Sequence, residues 1–312
     1  MFPRIVSFPA LAFVLLAAAS VARAEEFTGT WTIRPSDEAG QVNFGLAHHM
    51  HGGTSSNESD WLVGEFLGLD LATRERHDVK FSIARDAGRF ECDGFIKEGE
   101  GAGVFHFAPN PSFAKEMAQL GFTDVDEDRQ FAMAVHDVSI EYAKEMKARN
   151  LRSLDTDKLL AFRIFRITDN FIREMRAEGL AADDADKLIA FKVHGVTPAM
   201  VHATKAAGLT PTEDQLIAMR IHGATPEWIA ELGKQGYAQL DIDEMIAFRI
   251  HGVSPEFIEK VAAQGYRHPE PDELVAMRIH GVTPEFIANL KSRGMKDLTI
   301  DKLVNLKIHG IE

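Results

Sequence analysis

Three imidazoles stand close together at His48, His49 and His51, and a cluster of this kind offers nitrogen ligands for Zn²⁺ or Cu²⁺. In an extended chain only His49 and His51 share a face, and no Cys, Asp or Glu lies within a few positions to complete a coordination sphere. The segment therefore reads as a solvated loop running into Gly52-Gly53-Thr54-Ser55-Ser56. A metal-dependent enzyme or metal-binding protein built on His48, His49 and His51 is the alternative.

Other chemistry is harder to assemble. Cys92 is the sole cysteine, so no internal disulfide forms, and its period-2 neighbours mark it as a buried thiol rather than a nucleophile. The acidic runs at Asp124–Asp128 and Asp183-Asp184 fall where helices start and lack the Gly turn and terminal Glu of a calcium loop. No Gly-x-Ser-x-Gly elbow, no phosphate-cradling Gly-x-x-x-x-Gly-Lys-Ser/Thr loop and no His-Glu-x-x-His zinc motif occurs. The expectation is a chain with no catalytic residues and no cofactor.

Five further histidines recur in a fixed phrase: His194-Gly195, His222-Gly223, His251-Gly252, His280-Gly281 and His309-Gly310, spaced 28, 29, 29 and 29 residues apart. Equivalent atoms in successive helix layers lie roughly 10 Å apart, too far to share an ion. Each histidine sits just before a Gly stop, beside Arg220, Arg249 or Arg278 in three of the units, where a cation complements the carbonyls at the negative helix end. Capping is the reading adopted for them.

The elements that would carry these residues follow from the same spacing. A period near 29 marks a helical repeat array. Stepping back from His194 reaches Phe165, His136 and Phe107, so three degenerate units precede the regular ones, and Pro111 falls at the position of Pro198, Pro226, Pro255 and Pro284. Seven two-helix units are expected, starting near residues 107, 136, 165, 194, 222, 251 and 280, with a stub from 309.

In the unit from His280, Thr283 is the N-cap, Pro284 takes the first helical position and Glu285 favours the positive helix end. Val282 and Ile287 form a hydrophobic staple, and Gly294 ends the helix. The second helix starts at Asp155, Asp184, Thr212, Asp241 or Thr299, with Gln215 and Glu244 completing capping boxes. Its body, as in Leu274-Val275-Ala276-Met277-Arg278-Ile279, is apolar nearly all round and is expected to be covered on most sides. On the first helix, Ala230-Glu231, Glu259-Lys260 and Ala288-Asn289 vary while the frame repeats.

Residues 25–106 read differently. Phe27/Trp31/Ile33, Val42/Phe44/Leu46, Val79/Phe81/Ile83 and Phe90/Cys92 alternate with polar residues, the pattern of strands with one wet face. Arg85-Asp86-Ala87-Gly88 joins two of them as a hairpin, and the glycines from Gly99 to Gly103 lead into a last strand ending at Phe107. The expected fold is α+β: a small antiparallel β domain at 25–106, followed by an α-solenoid of seven two-helix repeats at 107–312.

Residues 1–24 read as a secretory signal: Arg4, the apolar run Ala10–Ala19 and the small residues Ala22-Arg23-Ala24 before a cleavage point. Pro9 interrupts the apolar stretch, which falls short of the roughly 20 residues a spanning helix needs. The expected location is periplasmic or secreted, with no membrane span after cleavage. Loss of Arg4 and Arg23 takes the formal net charge from −13 to −15, which argues against nucleic acid and anionic membranes as partners.

The phrase Arg278-Ile279-His280-Gly281-Val282-Thr283-Pro284-Glu285-Phe286-Ile287, preceded by the Gly-rich β segment Gly101-Ala102-Gly103-Val104-Phe105-His106-Phe107, resembles extracytoplasmic parts of bacterial proteins. In some of these the region follows an antirepressor-type membrane metallopeptidase of the β-lactam-sensor class. The resemblance covers essentially the whole chain after the signal. It implies a sensory or partner-binding role outside the cytoplasm. The peptidase's zinc motif is absent, so its activity does not carry over. The expectation is thus an exported, non-enzymatic protein-binding scaffold or sensory module, with self-association through the C-terminal repeat as a further expectation. A structural envelope spacer is the remaining alternative.

Overall fold

The computed structural model describes residues 27–50 and 53–311. The expected signal segment and His51 lie outside these residues, and of His49 only the backbone is described. Seven strands come first: β1 (Phe27–Pro35), β2 (Gln41–Met50), β3 (Gly53–Leu62), β4 (Phe66–Leu67), β5 (His77–Arg85), β6 (Gly88–Lys97) and β7 (Glu100–Pro109). They form one antiparallel sheet in the order β3-β2-β1-β7-β6-β5-β4. The alternating apolar residues share its buried face, and Trp31 on β1 and Phe44 on β2 meet Phe81 on β5 at 5.0 and 6.2 Å between ring centroids. Contacts between strands so far apart in the sheet order mean that the sheet curls over an aromatic core.

The glycines of the sheet have a steric cause. A Cβ on Gly103 would stand 2.1 Å from the Asp93 carbonyl oxygen and 2.7 Å from the Trp31 indole, so the large ring lies where neighbouring strands carry no side chain. The indole Nε1 donates to the Asp93 carbonyl at 3.2 Å.

One expectation is overturned here. Within the segment read as a solvated loop, residues 48–50 close β2 and residues 53–56 start β3, with His48 opposite Ser55 and His49 opposite Thr54 in the ladder. From Gly53 to Asp60 the strand carries no apolar side chain, so alternation gave no signal. Its place at the sheet edge, paired on one side only, explains why a polar run suffices.

The chain clusters into two compact units. The first holds the strands through Ala84 together with Arg89–Ala108; the second holds the turn Arg85–Gly88 and the chain from Pro109 onward. Within the second unit the turn is firmly held: Gln130 donates to the Ala87 carbonyl at 2.7 Å, the Ile140 N–H donates to Asp86 at 2.9 Å, and Arg85 pairs with Asp137 at 2.8 Å.

The second unit contains fourteen described helices: α1 (Phe113–Gln119), α2 (Glu127–Val135), α3 (Ile140–Ala148), α4 (Thr156–Ile164), α5 (Asp169–Ala177), α6 (Ala185–His194) and α7 (Pro198–Ala206), then α8 (Glu213–His222), α9 (Pro226–Lys234), α10 (Ile242–His251), α11 (Pro255–Ala263), α12 (Pro271–Ile279), α13 (Pro284–Ser292) and α14 (Ile300–Ile308). Each is only two to three turns long, too short to be stable alone in water. Local capping defines their starts: Thr283 accepts from the Phe286 N–H, and both expected capping boxes, Thr212 with Gln215 and Asp241 with Glu244, are closed. Helix α1 departs from the expected phase. It begins at Phe113 rather than at Pro111, because the Asn110 side chain accepts the Ser112 N–H at 3.1 Å and draws that segment into a turn.

Left-handed residues punctuate the unit at the repeat spacing. One series is Asp137, Arg166, Gly195, Gly223, Gly252, Gly281 and Gly310; a second is Gly121, Asn150, Gly179, Gly208, Gly236, Gly265 and Gly294. Helix α4 packs on α6, α6 on α8, α8 on α10, α10 on α12 and α12 on α14, while α5 packs on α7, α7 on α9 and α11 on α13. From α4 onward, even-numbered and odd-numbered helices therefore form separate layers.

Candidate interaction surface

In α10 the buried residues are Ile242, Met245, Ile246 and Phe248. Ile250 follows Phe248 by two residues, about 200° further round the helix, and so points away from the core. It is 53 % exposed, and the same holds at the corresponding place in every even helix from α4 onward: Ile164, Val193, Ile221, Ile279 and Ile308 are all half-exposed. The second helix of each expected unit is covered on most sides, as expected, but not on all of them. Neighbouring even helices cover its flanks and the odd layer its inner side, which leaves one face uncovered.

Two further rows share that face, since residues three and seven positions before the aliphatic one lie on the same side of a helix. Ala161, Ala190, Ala218, Ala247 and Ala276 form a low central row, and Asp157, Asp186, Asp214, Asp243, Asp272 and Asp301 form an exposed acidic row at the helix starts. Part of the acidic row is tied laterally. Arg129 meets Asp157 at 2.9 Å, Lys158 meets Asp186 at 3.1 Å, Lys187 meets Asp214, and Gln215 donates to Asp243 at 2.9 Å. Each link joins one even helix to the next.

The recurrent histidines lie beside the aliphatic row, and His194, His222 and His251 close a helix directly before a left-handed glycine. The carbonyls of these three, and that of His136, accept hydrogen bonds from an arginine of the following even helix: Arg163 to His136 at 3.0 Å, Arg220 to His194 at 3.2 Å, Arg249 to His222 at 2.9 Å and Arg278 to His251 at 3.3 Å. The guanidinium thus caps its neighbour's helix end. The His309 ring folds back on its own helix, with Nδ1 2.8 Å from the Asn305 carbonyl oxygen. Three of the following glycines leave room for this clamp, since a Cβ on Gly195, Gly223 or Gly252 would stand 2.9, 2.7 or 2.8 Å from the arginine Nη2. The prolines Pro198, Pro226, Pro255 and Pro284 each open an odd helix.

Two of these arginines also cover aromatic rings at the start of the odd helices, Arg249 over Trp228 at 5.1 Å and Arg278 over Phe257 at 4.9 Å, and Lys307 covers Phe286 at 4.2 Å. The odd layer repeats the capping device, with Lys205 donating to the Glu178 carbonyl and Lys291 to that of Gln264. Residues Ala230-Glu231, Glu259-Lys260 and Ala288-Asn289 are exposed on this layer.

The other candidate residues lie elsewhere. His48 is buried, with its ring 5.9 Å from that of Phe27. Cys92 is buried as well, and loss of solvation pushes its thiol up to about 12. Asp126 caps α2, while Asp124 accepts a hydrogen bond from Thr156, which holds its carboxyl below the ordinary range. Among the described residues no three His, Cys, Asp or Glu side chains converge as metal ligands, and no helix is long and apolar enough to cross a membrane.

The aliphatic row escaped the sequence reading because an apolar residue inside an apolar helix looks like core. Its signal was angular: in Arg-Ile-His-Gly the isoleucine stands opposite the buried positions. A scan against models of protein families, a search of curated proteins and a search of solved structures each returned no match.

Proposed function

We propose that this chain is a non-enzymatic protein-binding scaffold whose second unit is an array of seven two-helix repeats, presenting the outer face of its even helices to a protein partner. The row of half-exposed Ile164, Val193, Ile221, Ile250, Ile279 and Ile308 carries this reading. Scattered apolar residues are ordinary on a surface, but a contiguous apolar strip bordered by polar rows marks an interaction site. Here one aliphatic residue per helix falls at one repeat position, with the low alanine row beside it. The two series of left-handed residues support the seven-unit count.

The partner meets apolar anchors along one edge and carboxylates along the other. A basic amphipathic surface complements both, and nucleic acid meets the wrong sign of charge. The Arg4 and Ala10–Ala19 pattern supports a site of action in the periplasm or outside the cell. The resemblance to extracytoplasmic sensor regions supports the same assignment.

The test is affinity capture from envelope extract of the native host, comparing the full chain with Ile250→Glu and Ile279→Glu. Both side chains are half-exposed, so the variants should fold normally. A stoichiometric partner held by the full chain and lost from both variants supports the reading. Equal retention by the variants overturns it, as does absence of any partner together with stoichiometric bound metal.

A further inference from the structure

Five odd helices place an aromatic residue at their third position: Tyr142, Phe171, Trp228, Phe257 and Phe286. Each ring is covered by a cation from the next even helix, at 5.0, 4.1, 5.1, 4.9 and 4.2 Å respectively. Helix α7 departs from this rule. Its third residue is Met200, although the backbone is capped as in the other units, with the Met200 N–H donating to Thr197 at 3.2 Å.

The cation is nevertheless in place. Arg220 donates Nε to the His194 carbonyl and lays Nη2 against Gly195, as its counterparts do, but no ring lies beneath it. Two neighbouring positions have also shrunk. Where those five helices with an aromatic third residue carry Glu or Asn, α7 has Ala199; where they carry Glu, Lys or Asn, it has Ala203. The result is a cavity of about 280 Å³ between α7, α8 and α9, lined among others by Met200, Ala203, Met219, Arg220, Ala224 and Pro226.

We infer that this cavity is a receptor for one aromatic side chain, Phe, Tyr or Trp, presented by the partner polypeptide. The inference rests on the scaffold reading and adds the chemistry of one anchor. The other units show what Arg220 is built to cover. A guanidinium attracts the negative face of a ring, so its charge selects aromatic over aliphatic occupants. The sulfurs of Met200 and Met219 add favourable contact with a ring. Size agrees, since an apolar cavity of about 150 Å³ already accepts benzene.

The experiment uses the full chain with ¹³C-labelled methionine methyl groups, titrated with N-acetyl-tryptophanamide and, separately, N-acetyl-leucinamide. The expected result is saturable shifting of the Met200 and Met219 methyl resonances by the tryptophan amide and none by the leucine amide. Met200→Phe, which supplies the missing ring internally, should abolish the response at Met219. Ala203→Lys, which borrows the residue of α11 at an accessible position, should weaken it without disturbing the fold. Arg220→Gln should weaken it roughly three-fold, the share of a cation–π contact. No saturable shift, an equal response to the leucine amide, or an undiminished response in Met200→Phe overturns the inference. None of these outcomes bears on partner capture through Ile250 and Ile279, so the two readings fail separately.

Discussion

Arg249 donates its Nε to the carbonyl oxygen of His222, 27 residues earlier, at 2.9 Å, while its guanidinium lies over the Trp228 ring. One side chain thereby closes a helix end, covers an aromatic residue and joins two even helices. Arg278 does the same with His251 and Phe257.

Arg249→Ala should therefore cost more stability than Arg220→Ala. Both remove a charge-assisted hydrogen bond to a helix C-terminus, worth about 1.5–3 kcal/mol at the upper end. Only Arg249 also loses a ring contact, worth about 0.5–1 kcal/mol. Urea melts of the two variants check the order; equal losses would show that the ring contributes nothing.

Left-handed positions should respond in opposite directions according to residue. Gly223→Ala forces a Cβ into a conformation costing about 1–2 kcal/mol and against Arg249, so it destabilises. Arg166 occupies the corresponding conformation without being glycine, at φ +54°, and is exposed. Arg166→Gly should be stabilising by less than about 1 kcal/mol, because relief of the backbone is partly offset by a freer unfolded chain. Thermal melts of the pair give the signs.

Cys92 should be inert in the folded protein. Burial raises its thiol from 9.0 to about 12, so negligible thiolate exists at pH 8, and a disulfide reagent should label it only after denaturation. The folded state holds this proton more tightly than the unfolded one. The corresponding stability is present below about pH 9 and lost as pH rises toward 12. Rapid labelling of native protein at pH 8 would contradict the burial.

His136 moves the other way. Burial, and secondarily the Arg163 cation, lower it from 6.5. The unfolded state then binds the extra proton first, so the contribution is present above about pH 6.5 and lost as pH falls through the folded value. His136→Phe, matching Phe165 29 residues on, should flatten the pH dependence of stability below about pH 6.5. An unchanged slope would assign that dependence to other groups.

Local chemistry was legible before any coordinates. Thr283, Pro284 and Gly294 act on backbone groups within four residues of themselves, so their types and order suffice to mark where a helix starts and stops. Trp31 and Ile33, or Phe81 and Ile83, announce a strand by period alone, and the 29-residue return of His-Gly announces a repeating frame. The polar strand Gly53–Leu62 carried no such mark. It exists because β2 offers it a ladder of backbone partners, and a ladder is indifferent to side-chain polarity.

What remained hidden depends on distances that span a whole unit. Whether Arg249 caps its own helix or its neighbour's, and which face of the apolar α10 is left uncovered, follow from how successive helices stack. The same stacking turns Met200 from an ordinary apolar residue into the floor of a cavity, since a missing ring matters only where another unit's arginine is already waiting over it. Capping and periodicity are properties of a few consecutive residues; a surface and a cavity are properties of the layers they build.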